Sequence, residues 1–372
     1  MTANVDLATV WAFIIAFAVF VYVVMDGFDL GLGVLFPLFP DKTDRDVIMS
    51  SVAPVWDGNE TWLVLGGGGL MAAFPLAYAI LMPALYTPII AMLIGLVFRG
   101  VAFEFRWRAT PGKRNLWDIA FAGGSWLAAL AQGIALGAIL QGVHVEGRHY
   151  AGGWWDWLTP FSILTGVALA VGYALLGATW LVMKTEGALR DKAYLLSWSL
   201  LFAMLAAIGA VSIVTPFLHV AYAQRWFAWP NIIFTASVPI AVAGVSVLLL
   251  RGLANKHDYQ PFFLSLLLFA LSYLGLGISM YPYIVPQSIT IWQAASPENS
   301  QIFMLVGVAV LIPLILGYTS WAYWVFRGKV KAGSGYHCCL PRKKRHRWPS
   351  VYCGSWCSGS AASAPLPSSP MV

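Results

Sequence analysis

Leu7-Ala-Thr-Val-Trp-Ala-Phe-Ile-Ile-Ala-Phe-Ala-Val-Phe-Val-Tyr-Val-Val-Met25 contains no charged residue. A helix of about 20 apolar residues spans the ~30 Å of hydrocarbon in a bilayer, and this run with its continuation to Leu35 reaches that length. It is longer than the apolar core of a cleavable signal, and residues 1–10 carry no Lys or Arg. It therefore reads as a retained first helix. Outward from it, similar stretches recur near 54–74, 76–99, 118–142, 160–183, 197–219, 230–251, 262–281 and 302–326. They are continuous rather than alternating, which points to helices and away from a barrel. Only Phe74-Pro75-Leu76 separates the second from the third.

Composition agrees. Of 372 residues, 10% are charged and 59% hydrophobic, where a soluble domain carries about 25% charge. Mean hydropathy is +0.74. A water-facing surface cannot be built from this chain, so lipid is its expected solvent. The expected fold is all-α: a polytopic membrane helix bundle of about nine transmembrane helices.

Charge sets the expected orientation. With nine spans and the N-terminus outside, the inner segments hold Lys42 and Arg45, then Arg99, Arg106, Arg108, Lys113 and Arg114. Lys184, Arg190, Lys192, Arg251 and Lys256 follow, with every basic residue from Arg327 onward. Only Arg148 and Arg225 fall outside. The positive-inside rule gives N-terminus outside, C-terminus cytoplasmic, and favours an odd count. Trp154, Trp155 and Trp157 suit an outer aromatic belt, and Trp321 and Trp324 an inner one. The net charge of +6 thus reports topology and anionic lipid headgroups, not nucleic acid.

Residues 1–335 read as the membrane domain and 336–372 as a basic Cys/Ser/Pro-containing tail. All four cysteines (Cys338, Cys339, Cys353 and Cys357) lie in the tail, beside the run Arg342-Lys343-Lys344-Arg345-His346-Arg347. Their spacing lacks the paired pattern of a zinc site. A disordered cytoplasmic tail is expected, and no metal site.

Ionisable residues inside a membrane cost roughly 2.5–3.5 kcal/mol each at a helix centre, so they are the functional candidates. Asp26 and Asp29 sit in Met25-Asp-Gly-Phe-Asp-Leu-Gly-Leu-Gly33. Asp57 and Glu60 sit in Val55-Trp-Asp-Gly-Asn-Glu-Thr-Trp62. Each pair, spaced i, i+3, shares a helix face, and the topology brings both toward the cytoplasmic side. Crowded carboxyls in low dielectric cannot all ionise, which suits them to accept and pass protons. Capping a helix start and facing water is the competing reading. Gly27, Gly31, Gly33 and Gly66 to Gly69 permit close helix approach. No Lys-Ser/Thr follows them, so they are not a phosphate loop. Arg99, Glu104 and Arg106 form a structural charge cluster that closes a span on the basic side, with Glu104 and Arg108 spaced to pair.

Haem ligation by this chain is not expected. Of its six histidines only His219 lies near a span, at its end, and methionines in the spans usually pack. No catalytic residue of a soluble enzyme class and no nucleotide motif appears. Two classes stay open on residues alone: a respiratory-complex subunit, or a secondary transporter with mid-membrane carboxylates.

Four motifs in order decide further. Asp26-Gly-Phe-Asp-Leu-Gly31, Trp56-Asp-Gly-Asn-Glu60, Phe98-Arg-Gly-Val-Ala-Phe-Glu-Phe-Arg106 and Pro282-Tyr-Ile-Val-Pro-Gln-Ser-Ile-Thr-Ile-Trp292 resemble subunit II of cytochrome bd-type quinol oxidases. Thr61-Trp-Leu-Val-Leu-Gly-Gly-Gly-Gly69 is similar to the cyanide-insensitive branch. The likeness covers residues 5–335. It implies a multi-pass protein of the bacterial cytoplasmic (inner) membrane, folded as two four-helix bundles plus one helix. The implied partner is subunit I, bearing haem b and haem d (or haem b only). The complex would oxidise quinol and reduce dioxygen to water without pumping. The resemblance leaves open a small single-span subunit and a quinone within this chain. In the family, subunit II carboxylates near the cytoplasmic side help bring protons to the haem site. The matching positions are Asp57, then Asp26 and Asp29, with Glu60 ranked last.

Overall fold

Pro75, Pro83 and Pro88 fall within one stretch of 14 residues, and they decide how the chain turns after its second apolar run. The computed structural model, which describes residues 6–110 and 112–330, breaks the expected 76–99 span into two helices. α1 (Leu7–Leu35) is followed by α2 (Lys42–Val52), α3 (Trp56–Ala73), α4 (Pro75–Ala84) and α5 (Tyr86–Arg108). Pro75 occupies the first turn of α4, where its missing N–H costs nothing. Pro88 cannot donate back to Ala84, and the chain bends at Leu85 between the two helices. α5 then continues nine residues beyond Arg99, so this guanidinium lies inside a helix rather than closing it. Arg99 is fully buried, which is possible only because carboxylates meet it there.

α6 (Arg114–Gln141), α7 (Pro160–Lys184) and α8 (Gly187–Leu218) follow. α9 (Val220–Phe227), α10 (Asn231–Ala254) and α11 (Gln260–Met280) come next, then α12 (Ile291–Ala294) and α13 (Glu298–Val325). Two short antiparallel hairpins, β1 (Val145–Glu146) with β2 (His149–Tyr150) and β3 (Tyr283–Val285) with β4 (Ile289–Thr290), are the strands among the described residues. Both hairpins sit at one end of the bundle, here the hairpin end. At the other, basic end, Arg45, Arg106, Lys184, Arg190 and Lys329 make ion pairs or backbone contacts.

Eight of the described helices are long and apolar enough to cross a membrane. α3, the second of the nine expected spans, is not among them: its four consecutive glycines and its polar start make it less apolar. It still runs along α1, with Asn59 beside Asp29 at one end and Ala73 in the cluster around Trp11 at the other. α5 packs on α6, and α6 and α1 both pack on α7. α7 also contacts α8 and α11, and α10 pairs with α11. α13 touches α1 and α3.

Backbones approach closely where small residues allow it. A Cβ on Gly31 would overlap the Tyr173 carbonyl and reach 3.0 Å from the Gly177 nitrogen. With no hydrophobic effect between helices in lipid, such packing and interhelical hydrogen bonds hold the bundle. The expected tail 336–372, with its four cysteines, lies outside the described residues.

Candidate functional site

The α1 face that carries Asp26 and Asp29 turns inward, and both carboxyls are fully buried. α1 can bring them there because Gly27 lies beneath the Tyr173 ring and Gly31 beneath its backbone. α5 supplies the counter-charge. Arg99 donates from Nη1 to Asp26 Oδ1 at 2.6 Å and from Nη2 to Glu60 Oε1 on α3. Asn59, one residue earlier, donates to Asp29 Oδ2 at 2.8 Å and to the Met25 carbonyl at 3.2 Å. Its own oxygen accepts from the Tyr323 hydroxyl of α13 at 2.9 Å. Four helices therefore meet at one polar centre.

One guanidinium faces three carboxyls. Among the described residues, Asp26 Oδ2, Asp29 Oδ1 and Arg99 Nε are buried with no hydrogen-bond partner. A carboxylate accepts and a carboxylic acid donates, so this centre has room for protons and spare positions to bind them. Glu60 is its opening, with 28% of its side chain exposed while Arg99 and Asp26 have none.

Asp57 stands apart. It is exposed on the first turn of α3, outside the buried centre. It shares one stripe of that helix with Thr61, Val64, Gly68 and Met71, all exposed. Among the described residues nothing lies within 4 Å of a would-be Cβ on Gly67 or Gly68, whereas Gly66 and Gly69 pack on Val19 and Ile15 of α1. α3 thus has one face committed to α1 and one bare.

The trio Arg99, Glu104 and Arg106, expected as one charge cluster, divides into three places. Arg99 joins the carboxyls. Glu104 meets Arg108 at 3.7 Å on an exposed surface. Arg106, almost wholly buried, donates to Asp118 at 2.5 Å and Asp46 at 2.6 Å, and Arg45 reaches Asp118 at 2.9 Å. The Arg45 and Arg106 guanidiniums also lie 5.3 and 5.9 Å from the Phe36 ring. Two partners in this centre, buried Asn59 and half-buried Tyr323, are not among the candidates that the sequence marks. Asn59 stood within a quoted motif, but nothing in the sequence around Tyr323 marks it.

The described histidines do not fit a haem inside the bundle. His144, His149 and His257 are exposed in connections, and His219 ends α8 with Nε2 2.6 Å from the Gln141 carbonyl. No group of three or more His, Cys, Asp or Glu side chains placed to hold a metal ion occurs among the described residues.

Residues 7–326 match the family model described as cytochrome bd terminal oxidase subunit II. The chain belongs to the cytochrome bd oxidase subunit II family. The Escherichia coli (strain K12) cytochrome bd-I ubiquinol oxidase subunit 2 is 32% identical over 360 residues, covering 86% of this chain and 94% of that protein. A probable cytochrome oxidase subunit 2 of Haemophilus influenzae is 31% identical over 359 residues, 87% of this chain and 95% of its own. A chain in the structure of the bd oxidase from Geobacillus thermodenitrificans shares the fold. Its TM-score is 0.66 at 18% identity, over 86% of this chain and 98% of that one. As a bd-type subunit II, this chain is a multi-pass membrane component of an oxidoreductase complex. That membership decides between the two classes the residues left open, in favour of the respiratory one. Haems belong to cytochrome bd complexes as a class.

Proposed function

We propose that this chain is the haem-free subunit II of a bd-type terminal quinol oxidase in the bacterial cytoplasmic membrane. Its partner is a haem-bearing subunit I, which oxidises quinol and reduces dioxygen to water. The chain crosses the membrane nine times, with α3 counted, and its N-terminus is outside. The distribution of basic residues supports this: among the described residues only Arg148 and Arg225 stand at the hairpin end.

Reducing dioxygen consumes protons. If they come from the cytoplasm while quinol releases its own outside, charge is separated without a pump. The chain then needs a hydrophilic entry at its basic end, and the Asp26–Arg99–Glu60 centre supplies one. The observation that carries this reading is the bare stripe of α3. Asp57 lies on it, three residues from Glu60, so a subunit docked there would meet Asp57 directly and stand beside the buried carboxyls. Asp57 delivers protons to the partner, and Glu60, Asp26 and Asp29 hold them behind it.

The test is oxygen uptake by the purified complex. Asp57→Asn is expected to slow turnover at least several-fold with the haem spectrum intact, the size of effect that general acid–base groups carry. Normal turnover at full haem content would leave Asp57 only its place on the surface of α3.

A further inference from the structure

The buried centre continues away from the basic end. Tyr22 lies one helical turn before Asp26 on α1, so the two share a face. Its hydroxyl accepts from Gln132 Nε2 of α6 at 2.7 Å, and Gln132 Oε1 accepts from the Tyr173 hydroxyl of α7 at 2.7 Å. The next residue on α6, Gly133, takes a hydrogen bond at its carbonyl from Thr165 Oγ1 of α7 at 2.8 Å. Beyond it come Ser162, bonded to Thr159, then Thr159 Oγ1 on Gln141 Oε1 at 2.5 Å, then His219 on the Gln141 carbonyl at 2.6 Å. Polar groups thus follow the α6–α7 seam from the carboxyl centre to the hairpin end. A conducting line along that seam would let protons cross freely and dissipate the gradient the complex builds.

The link between the two tyrosines is an amide. An amide donates and accepts hydrogen bonds, yet unlike a carboxyl or imidazole it neither takes up nor releases a proton in the working range of a protein. This holds whichever way the Gln132 amide is turned. Just past it the helices touch backbone to backbone. A Cβ on Gly133 would lie 2.5 Å from the Thr165 carbonyl oxygen and 2.6 Å from Gly166 Cα, so α6 and α7 hold the Gln132 amide in a tight seam. The other branch is built alike: Asp29 leads to an amide, Asn59, whose far side is held by a tyrosine, Tyr323. Asp26 and Asp29 are thus each fenced by an amide and a phenol.

We infer that Gln132 is a proton stop. It ends the proton-carrying region at Asp26 and Tyr22 and keeps charge from crossing the membrane through this subunit. The inference rests on the proton-entry reading of the carboxyl centre.

The experiment uses the whole complex, reconstituted in liposomes with a short-chain quinol as electron donor. Oxygen uptake is recorded before and after an uncoupler, and haem spectrum and detergent turnover report assembly. Q132E places a proton-carrying group between the tyrosines, so the uncoupler's stimulation is expected to be lost. Q132M, which carries no proton, is expected to stay coupled. If Q132E assembles poorly, Q132H makes the same test. An assembled, active Q132E or Q132H complex with wild-type stimulation overturns the inference, and so does a leaky Q132M. Asp26→Asn separates the two readings: normal turnover in that variant removes the proton-entry reading whatever Q132E does. Slowed turnover beside a fully coupled Q132E removes the stop alone.

Discussion

Arg99 holds Asp26 and Glu60 at once, with its own side chain wholly out of contact with solvent. Breaking a buried pair from one side strands the other charge and costs about 3–5 kcal/mol. Arg99→Met is therefore expected to lower the melting temperature of the detergent-purified complex and its yield. The double variant Arg99→Met/Asp26→Asn should recover part of that loss, because the stranded carboxylate is gone. Additive losses in the double variant would mean that the two residues do not share an interaction. Arg99→Lys is not a conservative exchange, since a point charge cannot fork between two carboxylates. At this scale the acids were legible: a carboxyl amid apolar residues is expensive enough to mark itself. Their partners were not. Arg99 lies 73 residues from Asp26, and Tyr323 lies 264 from Asn59. No local spacing encodes a contact across such distances.

α3 shows what a helix can say on two faces. Gly66 sits 3.2 Å (from a would-be Cβ) from Val19, so a larger residue there would push α1 away, while Gly68 opens on nothing among the described residues. Gly68→Leu is expected to leave this chain's own stability unchanged within about 0.5 kcal/mol, as surface substitutions do. It should nonetheless reduce recovery of the haem-bearing partner in a pull-down through a tag on this chain. Undiminished haem bands would place the partner's docking surface elsewhere. The long helices were legible because apolar length is a strong signal. The break at Leu85 was less so, because Pro75, Pro83 and Pro88 sit in a stretch that is apolar throughout, and hydropathy does not register a bend. α2, amphipathic α9 and both hairpins are too short to register in an apolar-length signal.

Across the whole molecule, the basic end is cross-tied between distant elements. Asp258, in the turn from α10 to α11, meets Arg190 of α8 at 3.2 Å and Lys329 beyond α13 at 2.6 Å. Partial burial alone would push its carboxyl up. The Lys329 hydrogen bond, with the charges of Lys329 and Arg190, outweighs burial and holds it below the ordinary carboxylate value. A carboxyl depressed in the folded state stabilises above its unfolded value of ~3.9 and loses that contribution as pH falls through the folded value. For a group so near the surface the contribution is at most about 1 kcal/mol. The purified complex should thus lose a little melting temperature below about pH 4, and Asp258→Asn should flatten that part of the profile. An unchanged slope in the variant would assign the acid sensitivity to other carboxyls.

The order of synthesis gives the polar centre a history. α1 leaves the ribosome with Asp26 and Asp29 long before α5 delivers Arg99, and Tyr323 arrives last of all. Each bare acid opposes insertion by about 2.5–3.5 kcal/mol at a helix centre, although the apolar half of α1 favours entry. The first helix is then expected to enter by its leading half while its acids wait at the membrane surface until their guanidinium is made. A nascent chain halted before Arg99 should expose position 26 to water-soluble labelling, and one halted after α5 should not. The ion pair that serves the finished protein would also time its assembly.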